Sequence, residues 1–206
     1  MANGLLSTQK SYAQATSDEH KSVQAELVEA LSFFKAIAPK KGSPSTGSGK
    51  SDLALSGRFL TSAETKLAQS VFGNAIDYDS VRIHNRKWAF FQPRGVAMAP
   101  DGHIWFHPKG NLYCQDFCDG HVDDQGLFIH EMTHVWQRQS GINLILRRHP
   151  FCRYGYTLKP GWPLKRYGIE QQAEIVRHAF LIREKRIVPG APALVQYRTV
   201  LPFTGI

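Results

Sequence analysis

Apolar positions with helical spacing near the N-terminus predict an amphipathic helix of about 20 residues. Thr16 and Glu19 form a capping box at its start. The apolar stripe consists of Val23, Leu27, Leu31, Phe34 and Ala38. Because this stripe must be buried somewhere, the helix either docks on the main domain or is offered to a carrier or chaperone.

A polar segment rich in Gly, Ser, Pro and Lys follows this helix, and its core covers residues 39–51. Such a composition cannot bury a core and is typical of a flexible linker. We therefore predict an N-terminal helical appendage over residues 1–38, a flexible linker over 39–57 and one main domain over 58–206.

The main domain opens with local signals for a helix and then for strands. Thr61 and Glu64 form a second capping box, and Gly73 stands where a helix ends, which predicts a helix over 62–72. Residues 77–84 then alternate between polar and apolar, as a strand does.

A hairpin signal follows. Residues 95–99 and 103–106 have strand composition and flank the turn sequence Pro100-Asp101-Gly102. Together with 77–84 they predict a small antiparallel sheet.

Two long helices are expected in the second half of the domain. Residues 108–122 read as a loop, and Asp123 is a candidate cap for a helix that ends near Gln139, with Gly141 beyond it. A last helix is predicted over about 168–185.

The segments on either side of the last helix lack helical spacing. Residues 142–167 are aromatic and rich in Pro and Gly, and we expect irregular structure there. Pro189, Pro192 and Pro202 predict a non-helical tail. The fold class that emerges is α+β, with helices packed on a small sheet.

The strongest chemical signal lies on the first of these two helices, in His130-Glu131-x-x-His134. Four residues apart on a helix, His130 and His134 share one face, so both imidazoles can bind one metal ion. Glu131 stands beside them, where it can hold and deprotonate a water molecule. This arrangement indicates a hydrolytic zinc site.

A zinc hydrolase needs a third protein ligand and one open position. Glu170 and Glu174 are four residues apart on the last predicted helix and therefore share a face. We expect Glu170 to be the ligand and Glu174 to orient a histidine ring from outside. The reverse assignment stays open, His178 is a weaker candidate, and a surface ion pair is the alternative without metal.

Composition and charge narrow the function classes. The chain has 206 residues, is 42% hydrophobic and carries a net charge of +8. In residues 1–139 the basic and acidic residues are equal in number, whereas residues 140–206 hold eleven basic and three acidic residues. This excess favours an anionic partner, substrate or cell envelope, or is only a solvated basic face. Without a basic stripe interleaved with aromatics, nucleic acid is not an expected partner.

The cysteines and the N-terminus bear on the compartment. Cys114, Cys118 and Cys152 are too few for a disulfide framework. We expect plain thiols or one disulfide, with a second metal site at Cys114 and Cys118 as the alternative. No apolar run is long enough for a membrane span, and no secretory signal opens the chain. We therefore expect a protein made in the cytoplasm. We also expect a monomer.

At these residues the chain resembles known zinc peptidases. His-Glu-x-x-His followed by Glu-x-x-x-acid is similar to the gluzincin clan, which includes thermolysin. Over residues 59–180 it also resembles the metallopeptidase effector domain at the C-terminus of some VgrG spike proteins of type VI secretion systems. The matching stretches are 71–73, 76–79, 97–106, 128–137 and 167–174.

The resemblance implies a zincin-like fold and an antibacterial toxin that acts in the periplasm of a target cell. It also implies a secretion spike or chaperone as carrier and an immunity protein as partner. This chain departs from thermolysin in two ways, because the interval from His134 to Glu170 is longer and Glu174 stands where thermolysin has Asp. No spike domain precedes residue 58, so we expect delivery as a separate cargo.

The expected chemistry is hydrolysis of a peptide bond, with Zn²⁺ as cofactor and Glu131 as general base. A donor for the tetrahedral oxyanion is also needed, and His149, Tyr154 and Tyr156 are the candidates. Peptidoglycan peptides are an alternative substrate to protein. A zinc-stabilised binding module without turnover is the competing class, but such a module has no need of Glu131.

Overall fold

The structure is a computed structural model that describes residues 57–147 and 152–206. The predicted helix of the appendage, the linker up to residue 56 and the candidate His149 lie outside the described residues. The rest of the predicted main domain is described and is mixed α+β, as the sequence predicted.

The domain begins with strand β1 (Arg58–Phe59) and helix α1 (Ser62–Phe72). The predicted capping box is present, because Glu64 N donates to Thr61 Oγ1 at 3.0 Å and Thr61 N donates to Glu64 Oε2 at 2.9 Å. The buried Glu64 carboxylate also accepts two bonds from Arg58, both at 2.8 Å, and one from the backbone of Phe117. One carboxylate thus ties β1 and a distant loop to the start of α1.

The sheet has three strands in the order β1-β2-β3, with β2 at Arg82–His84 and β3 at Ile104–Trp105. The pair β1–β2 is antiparallel, but β2–β3 is parallel, so the prediction of an antiparallel sheet is wrong for this pair. The long connection between β2 and β3 crosses over and returns the chain in the same direction, which a hairpin does not do.

The predicted strands are also shorter in the structure. Residues 77–81 form turns because Asp77 bonds to the Gln139 side chain and the Tyr78 hydroxyl donates to Gly73 O. The predicted hairpin is reduced to a single antiparallel bridge, in which Met98 and Trp105 exchange both backbone hydrogen bonds.

Helix α2 covers Val122–Gln139, close to the predicted bounds. Its cap is His121 rather than the predicted Asp123, since His121 Nδ1 accepts from Asp123 N and Asp124 Oδ2 accepts from His121 N. The Asp123 carboxylate is engaged elsewhere, in two bonds to Arg186 at 3.0 and 3.1 Å. An acidic side chain in the first turn still complements the helix dipole.

The remaining helices are α3 (Leu144–Arg147), α4 (Ile169–Arg183) and α5 (Leu194–Arg198). Helix α4 confirms the prediction, and 3-10 turns form at Phe117–Asp119 and Leu164–Arg166. The prediction of a wholly non-helical tail is wrong, because α5 fits between the prolines that were expected to exclude it.

Helices α2 and α4 make the most extensive contact between elements in the described part of the chain. They are antiparallel, since Gly126 early in α2 faces Leu181 late in α4, and Gln137 late in α2 bonds to Ile169 at the start of α4. A Cβ at Gly126 would lie 2.9 Å from Leu181 Cδ2, so glycine permits this approach. No helix within residues 57–147 and 152–206 has the length and apolar character to cross a bilayer.

His84 at the end of β2 is buried. Its ring stacks on Trp105, with centroids 3.7 Å apart and an angle of 6° between the planes, and Gly57 lies over it on the other side. Neither ring nitrogen has a hydrogen-bond partner among the described residues. Burial, followed by the charge of His103, lowers the pKa of His84 to about 4.

We expect acid to weaken the sheet through this histidine. Between pH 6.5, the ordinary pKa, and pH 4, the unfolded chain binds a proton that folded His84 does not, so stability falls as the pH is lowered through this window. Chemical unfolding of wild type and His84→Phe at several pH values measures the effect. The variant should lose less stability between pH 6.5 and 4, and an equal loss would contradict this account of His84.

Candidate metal centre

Both histidines of the predicted motif are buried on α2, one turn apart. Their ring centroids are 5.0 Å apart and the ring planes make an angle of 75°. The Nε2 atom of each ring lies near Glu170 on α4. The Nδ1 atom of His134 faces Gln137, and that of His130 faces Glu174. Helical spacing thus produces the paired imidazoles that the sequence predicted.

Glu170 lies between the two rings. Its Oε2 is 3.2 Å from His134 Nε2 and 3.5 Å from His130 Nε2. Two ligand atoms bound to zinc at its usual distances and at a tetrahedral angle are separated by about 3.4 Å. The spacing of His130, His134 and Glu170 therefore suits one ion.

The chemistry of this donor set also fits a metal. The three side chains are buried, and their ligand atoms lie within 4.8 Å of one another. They form the one group of three or more His, Cys, Asp and Glu in the described residues whose geometry could hold an ion. Two imidazoles and one carboxylate are the ligand set of several catalytic zinc sites.

Helix α4 supports the charge of Glu170 as well as its position. Glu170 is in the first turn of α4, where the helix dipole favours a negative side chain. The carboxylate is only 1% exposed, so it requires a cation close by. A bound metal ion would meet that requirement.

Glu174 lies beside a histidine ring, at the position where the sequence predicted an outer partner. Its Oε1 is 2.9 Å from His130 Nδ1, on the side of the ring away from Glu170 Oε2. Burial alone lowers the pKa of His130, but contacts with Glu170 and Glu174 outweigh it and raise the pKa to about 10. Burial raises the pKa of Glu174, whereas His130 and His178 lower it well below its usual value. The site thus attracts positive charge.

Gln137 lies in the corresponding position beside His134, and the sequence analysis missed it. Its Oε1 is 2.8 Å from His134 Nδ1. Its amide nitrogen donates to Ile169 O at 3.0 Å and to Gln172 Oε1 at 2.9 Å. Because the amide nitrogen has two acceptors, the oxygen must face the ring, which places the proton on Nδ1 and leaves Nε2 for a metal. The signal available was an amide three residues after the second histidine.

Glu131 is buried next to the ligands, and no described residue donates a hydrogen bond to its Oε2. A carboxylate oxygen buried without a partner is costly in a purely structural role. It is suited to a position where water or substrate provides the missing bond. This matches the role that the motif predicts for Glu131.

The remaining candidates take different positions. Tyr154 packs over His130, with ring centroids 6.3 Å apart and an angle of 20° between the planes, so it borders the site. Tyr156 uses its hydroxyl in bonds to His178 and Tyr197. His178 contacts Glu174 and is not in the three-residue cluster.

The alternative of a cysteine metal site has little support. Burial raises the pKa of Cys114, and burial followed by Asp116 raises that of Cys118 to about 12. Neither thiol belongs to the group of His, Cys, Asp and Glu side chains whose geometry could hold an ion in the described part of the chain. No disulfide joins these two cysteines, both of which lie in the described part of the chain.

The positions of the two glutamates give an expected order of effects. Glu170→Gln should lose zinc on dialysis, because a neutral amide replaces the negatively charged carboxylate that binds the ion. Glu174→Gln should keep zinc but bind it about 10- to 100-fold more weakly, as is typical for loss of an outer partner. Metal analysis and competition with a chromogenic chelator measure both. The opposite order would make Glu174 the ligand.

Gln137 offers a matched pair of variants on one helix. Gln137→Met removes the acceptor of His134 Nδ1 and should weaken zinc binding about 10- to 100-fold. Gln139→Met removes an exposed amide from the same helix, where it bonds to Asp77 and Ser80 away from the ligands. Chelator competition should show a loss for the first variant alone, and equal affinities would show that Gln137 does not orient the ring.

Comparison with known proteins places the chain in a family, although no family model matches it. It is 43% identical over 156 residues to the type VI secretion system spike protein VgrG2b of Pseudomonas aeruginosa, and the match covers 72% of this chain and 15% of that protein. The solved structure of the VgrG2b effector domain from this species aligns with a TM-score of 0.64 and 34% identity, over 87% of this chain and 97% of the domain. The chain belongs to the family of the VgrG2b effector domain.

Proposed function

We propose that this chain is a zinc-dependent peptidase that serves as an antibacterial effector of a type VI secretion system. The observation that carries the enzymatic part is the buried cluster of His130, His134 and Glu170 with Glu131 beside it. The effector part is supported by membership in the VgrG2b effector-domain family.

The fold that this proposal implies is zincin-like. Helix α2 provides the two imidazoles, and the antiparallel helix α4 provides the carboxylate. Strand β3 packs on α2, and the segment with Met98 lies along the outer side of β3. An extended peptide that adds to the outer edge of the Met98 segment would be bound through main-chain hydrogen bonds.

The proposed mechanism assigns each side chain one task. Zinc, when bound, supplies the Lewis acidity that makes water a nucleophile near neutral pH and polarises a carbonyl. Glu131 accepts the proton of the attacking water and passes it to the leaving amine. Gln137 and Glu174 keep the Nδ1 protons of the two imidazoles on the outer side. Among the oxyanion candidates that the structure describes, Tyr154 is the one that borders His130, and we assign it this task.

The biological setting is part of the same proposal. We propose that the toxin is made in the cytoplasm, carried by a secretion spike or a chaperone, and delivered to the periplasm of a target bacterium. The spike is supported by the relative, which is itself named a spike protein. An immunity protein would protect the producing cell. The proposed substrate is a protein or peptide, and peptidoglycan peptides are the alternative substrate.

The expected result for Glu131→Gln is loss of hydrolysis by about 10²- to 10⁴-fold with zinc content unchanged, because the base is removed and the ligands remain. Activity is measured on an unfolded protein and on purified sacculi in parallel. Cleavage of sacculi alone would move the substrate to peptidoglycan. Glu184→Gln, at the end of α4 with its acid paired to Arg183, is the control and should keep full activity.

The effector part is tested in cells. Wild type directed to the periplasm of a Gram-negative test bacterium by an added signal sequence should stop growth, whereas the same protein kept in the cytoplasm should not. Glu131→Gln directed to the periplasm should permit growth. Equal toxicity of wild type and Glu131→Gln would contradict a toxic peptidase.

A further inference from the structure

A line of polar contacts continues outward from the metal centre through α4. The Glu174 carboxylate lies between two imidazoles, with Oε1 2.9 Å from His130 Nδ1 and Oε2 3.1 Å from His178 Nε2. The Tyr156 hydroxyl is 2.7 Å from His178 Nδ1 and 2.7 Å from the hydroxyl of Tyr197. Five side chains are thus linked in a row.

These five residues come from four parts of the fold. His130 is on α2, Glu174 and His178 are one turn apart on α4, Tyr197 is on α5, and Tyr156 is in the irregular segment before α4. Tyr197 is fully buried and Glu174 is nearly so. The row therefore connects a candidate metal ligand to the C-terminal helix of the domain.

The protons of this row fit one consistent direction. If Tyr197 donates to Tyr156, Tyr156 can donate to His178 Nδ1, and His178 is left with its proton on Nε2 for Glu174. A proton on His130 Nδ1 would then lie against Glu174 Oε1, which is 2.9 Å from Nδ1, and this leaves the Nε2 lone pair of His130 for the ion. Burial and then the contact with Tyr197 raise the pKa of Tyr156 far above its usual value, so its hydroxyl keeps its proton.

A competing contact shows why such support is needed. Arg177 lies one residue before His178, and its NH1 is 3.3 Å from Glu174 Oε1, the same oxygen that faces His130. Arginine is long and flexible, so this contact alone could draw the carboxylate away from the ring. The contact of His178 with the other oxygen fixes the rotation of the carboxylate.

We infer that His178, Tyr156 and Tyr197 are positioning residues, which hold Glu174 against His130 and thereby keep His130 ready to bind the metal. The inference rests on the proposed metal site and extends it to residues outside the motif. These residues lie outside the cluster of His130, His134 and Glu170 that could hold the ion. Their effect should appear in the affinity and geometry of the metal site.

The test is chelator competition for zinc with single-hydroxyl deletions. Tyr156→Phe and Tyr197→Phe should weaken zinc binding by about 3- to 10-fold, less than the 10- to 100-fold typical of a direct outer partner. The control is Tyr78→Phe, which removes a part-buried hydroxyl bond of 2.7 Å to Gly73 O, outside this row. All three variants should melt at similar temperatures without metal, and only the control should keep wild-type affinity.

Two substitutions of His178 and a spectroscopic readout separate positioning from packing. His178→Gln can still donate to Glu174 from the position of Nε2, so it should retain more zinc affinity than His178→Leu. Cobalt substituted for zinc should give altered visible bands in His178→Leu and Tyr156→Phe, but not in Tyr78→Phe.

The outcomes distinguish this inference from the function on which it rests. Equal zinc affinity and identical cobalt spectra in Tyr156→Phe, His178→Leu and wild type would overturn the inference while leaving the metal site standing. Failure of wild type to bind zinc would overturn both. Wild type that binds zinc but hydrolyses nothing would remove the peptidase and leave the positioning residues supported by the affinity data.

Discussion

The antiparallel packing of α2 on α4 is the contact on which the rest of the structure depends. It buries the carboxylates of Glu131, Glu170 and Glu174 among two imidazoles. Burying several negative charges in one place is costly unless positive charge accompanies them. For this reason the surrounding carboxylates raise the pKa of His130 to about 10 in the absence of metal. A divalent cation between the helices satisfies the same demand and would bind them together more firmly.

The two imidazoles are held by different partners, and this difference has a chemical consequence. A neutral amide, Gln137, faces His134 Nδ1, and an anionic carboxylate, Glu174, faces His130 Nδ1. A carboxylate partner makes an imidazole the more basic ligand. In the proposed zinc site, His130 would therefore have the greater share in neutralising the ion. Its polar contacts also reach further into the fold, through His178 to Tyr197.

The sequence predicted the features that depend on residues close together in the chain. The capping box of Thr61 and Glu64 and the pairs His130/His134 and Glu170/Glu174 each depend on residues within one helical turn. The position of Glu174 beside a histidine also followed, because the spacing placed it on the same face as Glu170. Helical periodicity was enough for these features.

The missed features depend on contacts between distant residues. The sequence offered only a weak local signal for Gln137, three residues after His134, because the orientation of its amide depends on bonds to Ile169 and Gln172, which are 32 and 35 residues away. The parallel pairing of β2 with β3 depends on the course of a long connection, about which alternation along each strand says nothing. His121 replaced Asp123 as the cap because Arg186, far along the chain, engages the Asp123 carboxylate.

The most direct measurement of the central claim is anomalous diffraction at the zinc absorption edge from crystals of the zinc-loaded protein. The account predicts one strong peak between α2 and α4, within bonding distance of His130 Nε2, His134 Nε2 and a carboxylate oxygen of Glu170. A strong peak at Cys114 and Cys118, or no peak between the two helices, would contradict it.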